Sequence, residues 1–271
     1  MKRLQFLGTI WFATLAMYGV SPAAVVAQAQ VGAAEIGWEA SGKGGAVAAG
    51  GSEAVAVGIS ILEQGGNAAD AAAATLLALS ITDYGSFAIG AEIPLIIYDA
   101  RKEEVKVLCG LGGAPLEKNA IDWYYENGIP ANGSMKAAPV PGALGLCITT
   151  VKLYGTMSFE QVVTPSLELL DSGGKDWYEN LAVTFRKLIE TEKETTGSRE
   201  EKLQAARDRF YKGDIADELE AFYIKSGGFL RKADLSAYIT RIEEPVKAQY
   251  RGYTVYKCDT WTQGNMRNRL L

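Results

Sequence analysis

The chain contains no histidine. That absence removes the usual neutral-pH proton acceptor, and with it the Ser-His-Asp triad, the His-Glu-x-x-His zinc site and His-ligated haem. Cysteine is scarce: Cys109, Cys147 and Cys258 lie far apart. They lack the close pairs of a zinc site or a Cys-x-x-Cys redox centre, so burial as small apolar side chains is their expected role. Positive charge is not in excess either. Lys+Arg 27 against Asp+Glu 32 leaves a net charge of -5, which gives no electrostatic footprint for nucleic acid. Proline is rare, 8 residues against 30 glycines, and 48% of the chain is hydrophobic, which excludes collagen-like and disordered classes. No linker or internal repeat divides the 271 residues, so a single α+β domain is expected, with helices covering a sheet.

A long apolar run occurs at one place, the beginning. Lys2 and Arg3 precede an apolar stretch from Leu4 to Val20, followed by Ala27-Gln28-Ala29, the three-part layout of a secretory signal with cleavage before Gln30. The run is broken by Gln5, Gly8 and Gly19 and is short for a membrane anchor. Loss of its two cations takes the net charge from -5 to -7. The expectation is an acidic, exported protein, periplasmic or extracellular, with no membrane span after cleavage.

Residues 30–45 are small and Gly-rich, a flexible lead-in. Ser52 is placed to cap a helix carrying Val55, Val57, Ile59, Ile61 and Leu62, which stops at Gly65-Gly66. Asn67 opens a second helix, AADAAAATLLALSI, apolar all round and therefore expected to be buried. Two β-rich runs, 94–98 and 105–109, read as an antiparallel hairpin. Helical periodicity then predicts amphipathic covers over 120–127, 142–154, 158–172, 177–195, 199–211 and 214–226. A final hairpin, 246–250 with 253–257, turns at Arg251-Gly252.

The motifs that could carry chemistry are incomplete. Gly37 to Gly44 has P-loop spacing, but Gly44 stands where a magnesium-binding hydroxyl belongs and no strand precedes it. Gly110, Gly112 and Gly113 resemble a dinucleotide fingerprint with Pro115 in the third glycine's place, so a structural turn is expected. Glu92 adjoins the apolar strand PLIIYD, where a lone carboxylate would be expensive to bury, so it should face a pocket, cap the strand or be paired. Glu243-Glu244 reads as a solvated turn, because neighbours on a strand point to opposite faces. Arg199-Glu200-Glu201-Lys202 reads as an exposed helix start. The bases left for catalysis are an amino terminus, a perturbed Lys or carboxylate, or a thiolate.

Several segments together resemble the gamma-glutamyltransferase (glutathione hydrolase) family, large-subunit region. They are Val47-Ala48-Ala49, Ser52-Glu53-Ala54, ILEQGGNAADAAAATLLALSIT, Ile89-Gly90, Tyr98-Asp99, Gly113-Ala114-Pro115 and Val140-Pro141-Gly142. Further on come Tyr154-Gly155, Phe210-Tyr211-Lys212-Gly213, Gly227-Gly228, Asp234-Leu235, Glu244-Pro245 and Tyr250-Arg251-Gly252-Tyr253. Their order covers roughly residues 46–264. The resemblance implies part of an αββα N-terminal-nucleophile hydrolase sandwich, made as a precursor that cuts itself to expose a threonine. That threonine's amino group is its own base, which suits a chain without histidine.

Three departures qualify that expectation. No Thr-Thr-His segment is present, and Thr149-Thr150 and Thr195-Thr196 do not match one, so no residue of this chain is expected to be catalytic. Leu111 occupies the place where the resemblance implies an arginine gripping the substrate's α-carboxylate, and a relative acting on another acyl group, as cephalosporin acylases do, would tolerate that better. The remaining pocket candidates are Glu92, Gly110, Gly112 and Gly113. The tail 265–271 departs from the family, so the chain is expected to be truncated before the small subunit and to need a separately encoded small subunit supplying the threonine. Gamma-glutamyl or other acyl-amide small molecules are the expected substrates, with no metal or organic cofactor. The alternative is a non-catalytic exported binding or structural protein that reuses the fold.

Overall fold

The computed structural model describes residues 42–131 and 133–262. The leader, the tail 265–271 and most of the Gly37–Gly44 stretch lie outside the described residues. Helix α1 (Ser52–Glu63) ends as expected at Gly65, whose φ of 91° is a conformation few side chains tolerate. Its start differs. Gly51 holds the cap position, and Ser52 is already helical with its hydroxyl donating to Glu53 Oε2 at 3.0 Å. Ser52 therefore does not cap.

Helix α2 (Ala68–Thr82) opens with a reciprocal box. Asn67 Oδ1 accepts from Ala69 N–H at 2.8 Å, and Asp70 Oδ2 accepts from Asn67 N–H at 3.0 Å. Its alanines let α1, α4 (Ala143–Tyr154) and α5 (Phe159–Asp171) approach closely, and the helix is buried as its apolar composition requires. Asp70 is fully buried and reaches beyond its own helix. It also accepts from Thr156 N–H at 3.0 Å, Thr156 Oγ1 at 2.9 Å and Met157 N–H at 3.3 Å, tying α2 to the loop after α4.

The other helices are α3 (Lys118–Asn127), α6 (Tyr178–Glu194), α7 (Arg199–Lys212), α8 (Asp214–Lys225) and the short α9 (Lys232–Ala237). The expected positions of α3 to α8 are met within about two residues, the usual uncertainty of helix ends. Two corrections concern their roles. Helix α4 is not an amphipathic cover: every residue from Ala143 to Val151 is buried, because the helix lies between the sheet on one side and α2 and α7 on the other. Its few hydroxyls do not prevent this, since Thr150 Oγ1 returns its proton to Leu146 O at 2.8 Å. Arg199 is not merely an exposed charge. Its guanidinium donates to Val151 O, Lys152 O and Met157 O at 3.0 to 3.1 Å, closing the last turn of α4.

Strands β1 (Ile93–Asp99), β2 (Glu104–Gly110) and β3 (Arg241–Glu243) form an antiparallel sheet in the order β1-β2-β3. The β1–β2 hairpin is the expected one, whereas β3 and α9 gave no sequence signal. A second pair, β4 (Val246–Tyr250) and β5 (Tyr253–Lys257), turns through Arg251 and Gly252 at φ 46° and 86°, the doubly left-handed turn that suits a tight hairpin. One face of the larger sheet, carrying Ile93, Leu95, Ile97 and Leu108, packs on Ala143 and Leu146 of α4. The main core lies among the helices.

Candidate functional site

The Gly110–Pro115 turn leaves β2 and meets two other segments at the start of α4. Val140 N–H donates to Gly113 O at 3.0 Å, and the N–H groups of Gly142 and Ala143 both reach Ala91 O, at 3.2 and 2.8 Å. Glycine is required by contact distance. A Cβ on Gly112 would stand 1.7 Å from Val140 O, and one on Gly142 2.0 Å from Gly110 O. Glu92 completes this knot by accepting from Gly112 N–H at 3.0 Å. It is exposed, not buried, so water remains on its carboxylate and the cost of burying a charge does not arise.

Two tyrosines hold the Val140-Pro141-Gly142 segment from below. Tyr211 OH donates to Pro141 O at 2.7 Å while accepting from Gly145 N–H at 3.0 Å, and Tyr238 OH donates to Gly142 O at 3.0 Å. Their rings stack at 5.0 Å, and the Arg207 guanidinium lies 4.6 Å over the Tyr211 ring while donating to Tyr238 O. Burial raises the pKa of both phenols, which keeps them neutral donors. Sequence reasoning missed this support. Tyr211 appears in the sequence reading only within Phe210-Tyr211-Lys212-Gly213 and Tyr238 not at all, and only pairing each hydroxyl with a distant carbonyl singles them out.

Leu111 lines a small cleft of about 170 Å³ with Gly113, Ala114, Asp234, Tyr238 and Arg241. Asp234 is committed to structure, accepting from Leu116 N–H at 2.8 Å and Arg231 N–H at 2.7 Å. Arg241 is the cleft's cation. It donates to Glu243 Oε1 at 3.0 Å and to Cys109 Sγ at 3.2 Å, and its bond to Glu243 raises its pKa further, so its charge is fixed. Gly110 itself is buried beneath this turn, against Leu146. The four pocket candidates and Leu111 are thus neighbours, but Glu92 and Gly112 engage one another and do not point at an open site.

Glu243-Glu244 is not a free solvated pair: Glu243 Oε2 accepts from Trp261 Nε1 at 2.8 Å, and Glu244 pairs with Lys106. A larger cleft of about 630 Å³, between Phe87, Ile89, Trp177 and Leu181, has no acid, cation or cysteine in its lining. Among the described residues no group of three or more Cys, Asp or Glu is placed to hold a metal ion. The cleft beside Leu111 thus offers one cation, Arg241, already paired with Glu243, and its lining holds no nucleophile paired with a base.

The helical layer on one face of an antiparallel sheet, with its glycine turn locked to the start of the central helix, is shared with solved N-terminal-nucleophile hydrolases of the gamma-glutamyltranspeptidase type, which sets the class. The family profile described as gamma-glutamyltranspeptidase matches residues 54–190 and 177–271, and the chain belongs to that family. The glutathione hydrolase proenzyme of Bacillus subtilis (strain 168) is 29% identical over 242 residues, 79% of this chain and 41% of that protein. That of Escherichia coli (strain K12) is 28% identical, covering 83% and 43%. The chain thus spans about two-fifths of the curated relatives it matches. The gamma-glutamyltranspeptidase from Pseudomonas nitroreducens complexed with L-DON superposes with TM-score 0.65 at 25% identity, over 83% of this chain and 74% of that one. Cephalosporin acylase from Bacillus halodurans matches with TM-score 0.59 and 26% identity, over 75% and 44%.

Proposed function

We propose that this chain is the large-subunit partner of an exported amidohydrolase that cleaves or transfers acyl groups from small amides. The observation that carries the reading is the match of the gamma-glutamyltranspeptidase profile from residue 54 onward, together with the glycine knot that presents the Leu111 cleft. The reading divides the chain into a leader over 1–29, a lead-in over 30–45, the family body over 46–264 and a separate tail. Export is supported by the three-part leader; among the described residues no helix is long and apolar enough to cross a membrane. In this reading the nucleophile belongs to the small-subunit part of the family, since no threonine among the described residues is paired with a base beside the Leu111 cleft.

Leu111 cannot form the bidentate grip that an arginine gives a carboxylate. The cleft's charge comes instead from Arg241, already shared with Glu243 and Cys109. A weakened hold on an α-carboxylate shifts preference toward acyl groups lacking one. The test mixes the chain from Gln30 onward with a threonine-bearing small subunit and follows the hydrolysis of gamma-glutamyl-p-nitroanilide and glutaryl-p-nitroanilide. Hydrolysis above that of the small subunit alone, faster with the glutaryl substrate, is the expected result. No gain with either substrate overturns the proposal.

A further inference from the structure

The cleft of about 630 Å³ lies where two helices meet a loop. Tyr84 follows the last residue of α2 by two positions, and Trp177 holds the cap position before α6. Trp177, Leu181 and Thr184 recur at spacings of four and three, so they line one face of α6, while Phe87, Ile89 and Ala91 come from the segment leading into β1. The volume is that of a small-molecule site. Tyr84 and Trp177 stack with ring centroids 5.5 Å apart and planes inclined at 22°, and the Tyr178 ring meets Trp177 edge-on at 4.7 Å. Tyr84 is nevertheless 66% exposed, which leaves the stack open to a further ring.

The polar groups of the lining differ in what they already hold. Ser80 Oγ donates to Leu77 O at 2.6 Å and Thr184 Oγ1 to Asn180 O at 2.9 Å, so both hydroxyls are committed within their own helices. Trp177 Nε1 is buried and has no hydrogen-bond partner among the described residues. Buried donors are almost always paired, and an indole N–H left unpaired in the wall of a cleft calls for an acceptor. Ser86 and Asn180, both exposed, bring a hydroxyl and a carboxamide to the same lining. Charge is missing: the lining has no acid and no cation, and the Lys175 ammonium, 5.8 Å from the Tyr84 ring, lies outside it. A charged ligand would lose water there without gaining a partner.

We propose that this cleft binds a small uncharged molecule carrying an aromatic ring and an amide carbonyl. The ring stacks on Tyr84 and the carbonyl accepts from Trp177 Nε1, which a small tilt of the indole brings to it. Ser86 and Asn180 serve the rest of the amide. The lining shares no residue with the Leu111 cleft, so the inference stands or falls apart from the amidohydrolase reading.

The experiment titrates the purified chain with N-acetylphenylalaninamide and follows the ligand by saturation-transfer NMR. Two comparators are titrated in parallel: N-acetylleucinamide keeps the amides without the ring, and N-acetylphenylalanine keeps the ring but carries a carboxylate. The expected result is saturable binding of N-acetylphenylalaninamide, with each comparator weaker by about fivefold or more, the scale of one aromatic contact. Tyr84→Ala should erase the difference between the phenylalanine and leucine amides, and should melt near the wild-type temperature because Tyr84 is a surface side chain. Trp177→Phe keeps a ring and removes the donor, and should weaken binding several-fold. Absence of saturation, equal affinity for the leucine amide, tighter binding of the acid, or unchanged binding by either variant would each overturn the inference. A wild-type chain that sediments as a dimer beside a monomeric Tyr84→Ala chain would assign the cleft to a second copy and overturn it as well.

Discussion

The two faces of the β1-β2-β3 sheet are built on different terms. The face bearing Ile93, Leu95 and Leu108 is closed by α4, whose own opposite side is closed by α2 and α7, so apolar surface is covered through successive layers. On the other face the coverage is uneven. Val107 and Cys109 are buried, while Ile96 and Tyr98 of the edge strand β1 are 44% and 61% exposed. Sheets in layered folds bury apolar faces against a second layer, and a row of Ile and Tyr beside an unpaired edge asks for one. The difference teaches that, among the described residues, the helical layer covers its apolar surface, whereas the β1 face leaves part of its own open.

The largest effect that would break this contrast lies in the helical layer. Asp70, itself fully buried, accepts from the N–H groups of Asn67, Thr156 and Met157 at once. Asp70→Ala removes all three acceptors, leaves the buried Met157 N–H without one and empties a buried site, and should cost about 3 kcal/mol. Urea unfolding followed by circular dichroism measures it. A midpoint equal to wild type would mean that the helical layer is not held at this knot. Next in size is Gly112→Ala, whose Cβ would meet the Val140 carbonyl at 1.7 Å with no flexible side chain to yield. A loss of about 3 kcal/mol is expected from the forced backbone shift. Gly113→Ala is the control, since a Cβ there meets nothing within 4 Å, and its melting temperature should stay near that of wild type.

Tyr211→Phe ranks third. It removes the donor to Pro141 O and the acceptor for Gly145 N–H, both buried, and should cost about 1–2 kcal/mol. A smaller effect comes from the surface. Asp214 has its pKa lowered from 3.8 to about 2 by the Arg209 hydrogen bond first and Lys187 next. A depressed carboxylate stabilises the fold above its unfolded pKa and loses that contribution as pH falls from about 4 through about 2. Because Asp214 is nearly half exposed, solvent screening limits the gain to below about 1 kcal/mol. Asp214→Asn should therefore lower stability slightly at pH 7 and converge with wild type near pH 2, as parallel unfolding curves would show. A difference that persists at pH 2 would assign the effect to packing.

How much of this was legible in the sequence follows from the range of the forces involved. Asn67, Gly65 and the alanine-rich run act within a few residues, so α1 and α2 could be read directly, as could the β1–β2 and β4–β5 hairpins. Long-range pairings could not. Strand β3 has three residues and exists because Arg241 and Glu243 meet Cys109 and Val107, which no local pattern announces. Helix α4 looked like one cover among several because burial on both sides depends on which layers enclose it. Glu92 reads as a residue that should face a pocket, cap the strand or be paired, but its partner, Gly112 N–H, lies twenty residues on and sequence could not name it. The glycine turn was visible as glycine; that Gly112 answers to Val140, and Gly142 to Gly110, required the three-dimensional approach.

The smallest expected change sharpens the comparison most. Ile96→Lys places a charge on the exposed row of β1, where its partner across the ladder is Val107. If that face is open in the isolated chain, the lysine stays hydrated and unfolding stability changes by no more than about 0.5 kcal/mol, as for ordinary surface substitutions. Solubility should improve, since an exposed apolar residue on an edge strand has been replaced by the charge that blunts edge pairing. The same variant should behave differently once a second layer is present, because burying an unpaired ammonium in an apolar interface is expensive. Mixing it with the threonine-bearing small subunit and measuring complex formation by analytical ultracentrifugation separates the two states. Unchanged stability alone with lost assembly identifies the face on which the partner docks. Loss of stability in the isolated chain would mean instead that the face is already closed by the chain itself, and the contrast between the two faces would fall.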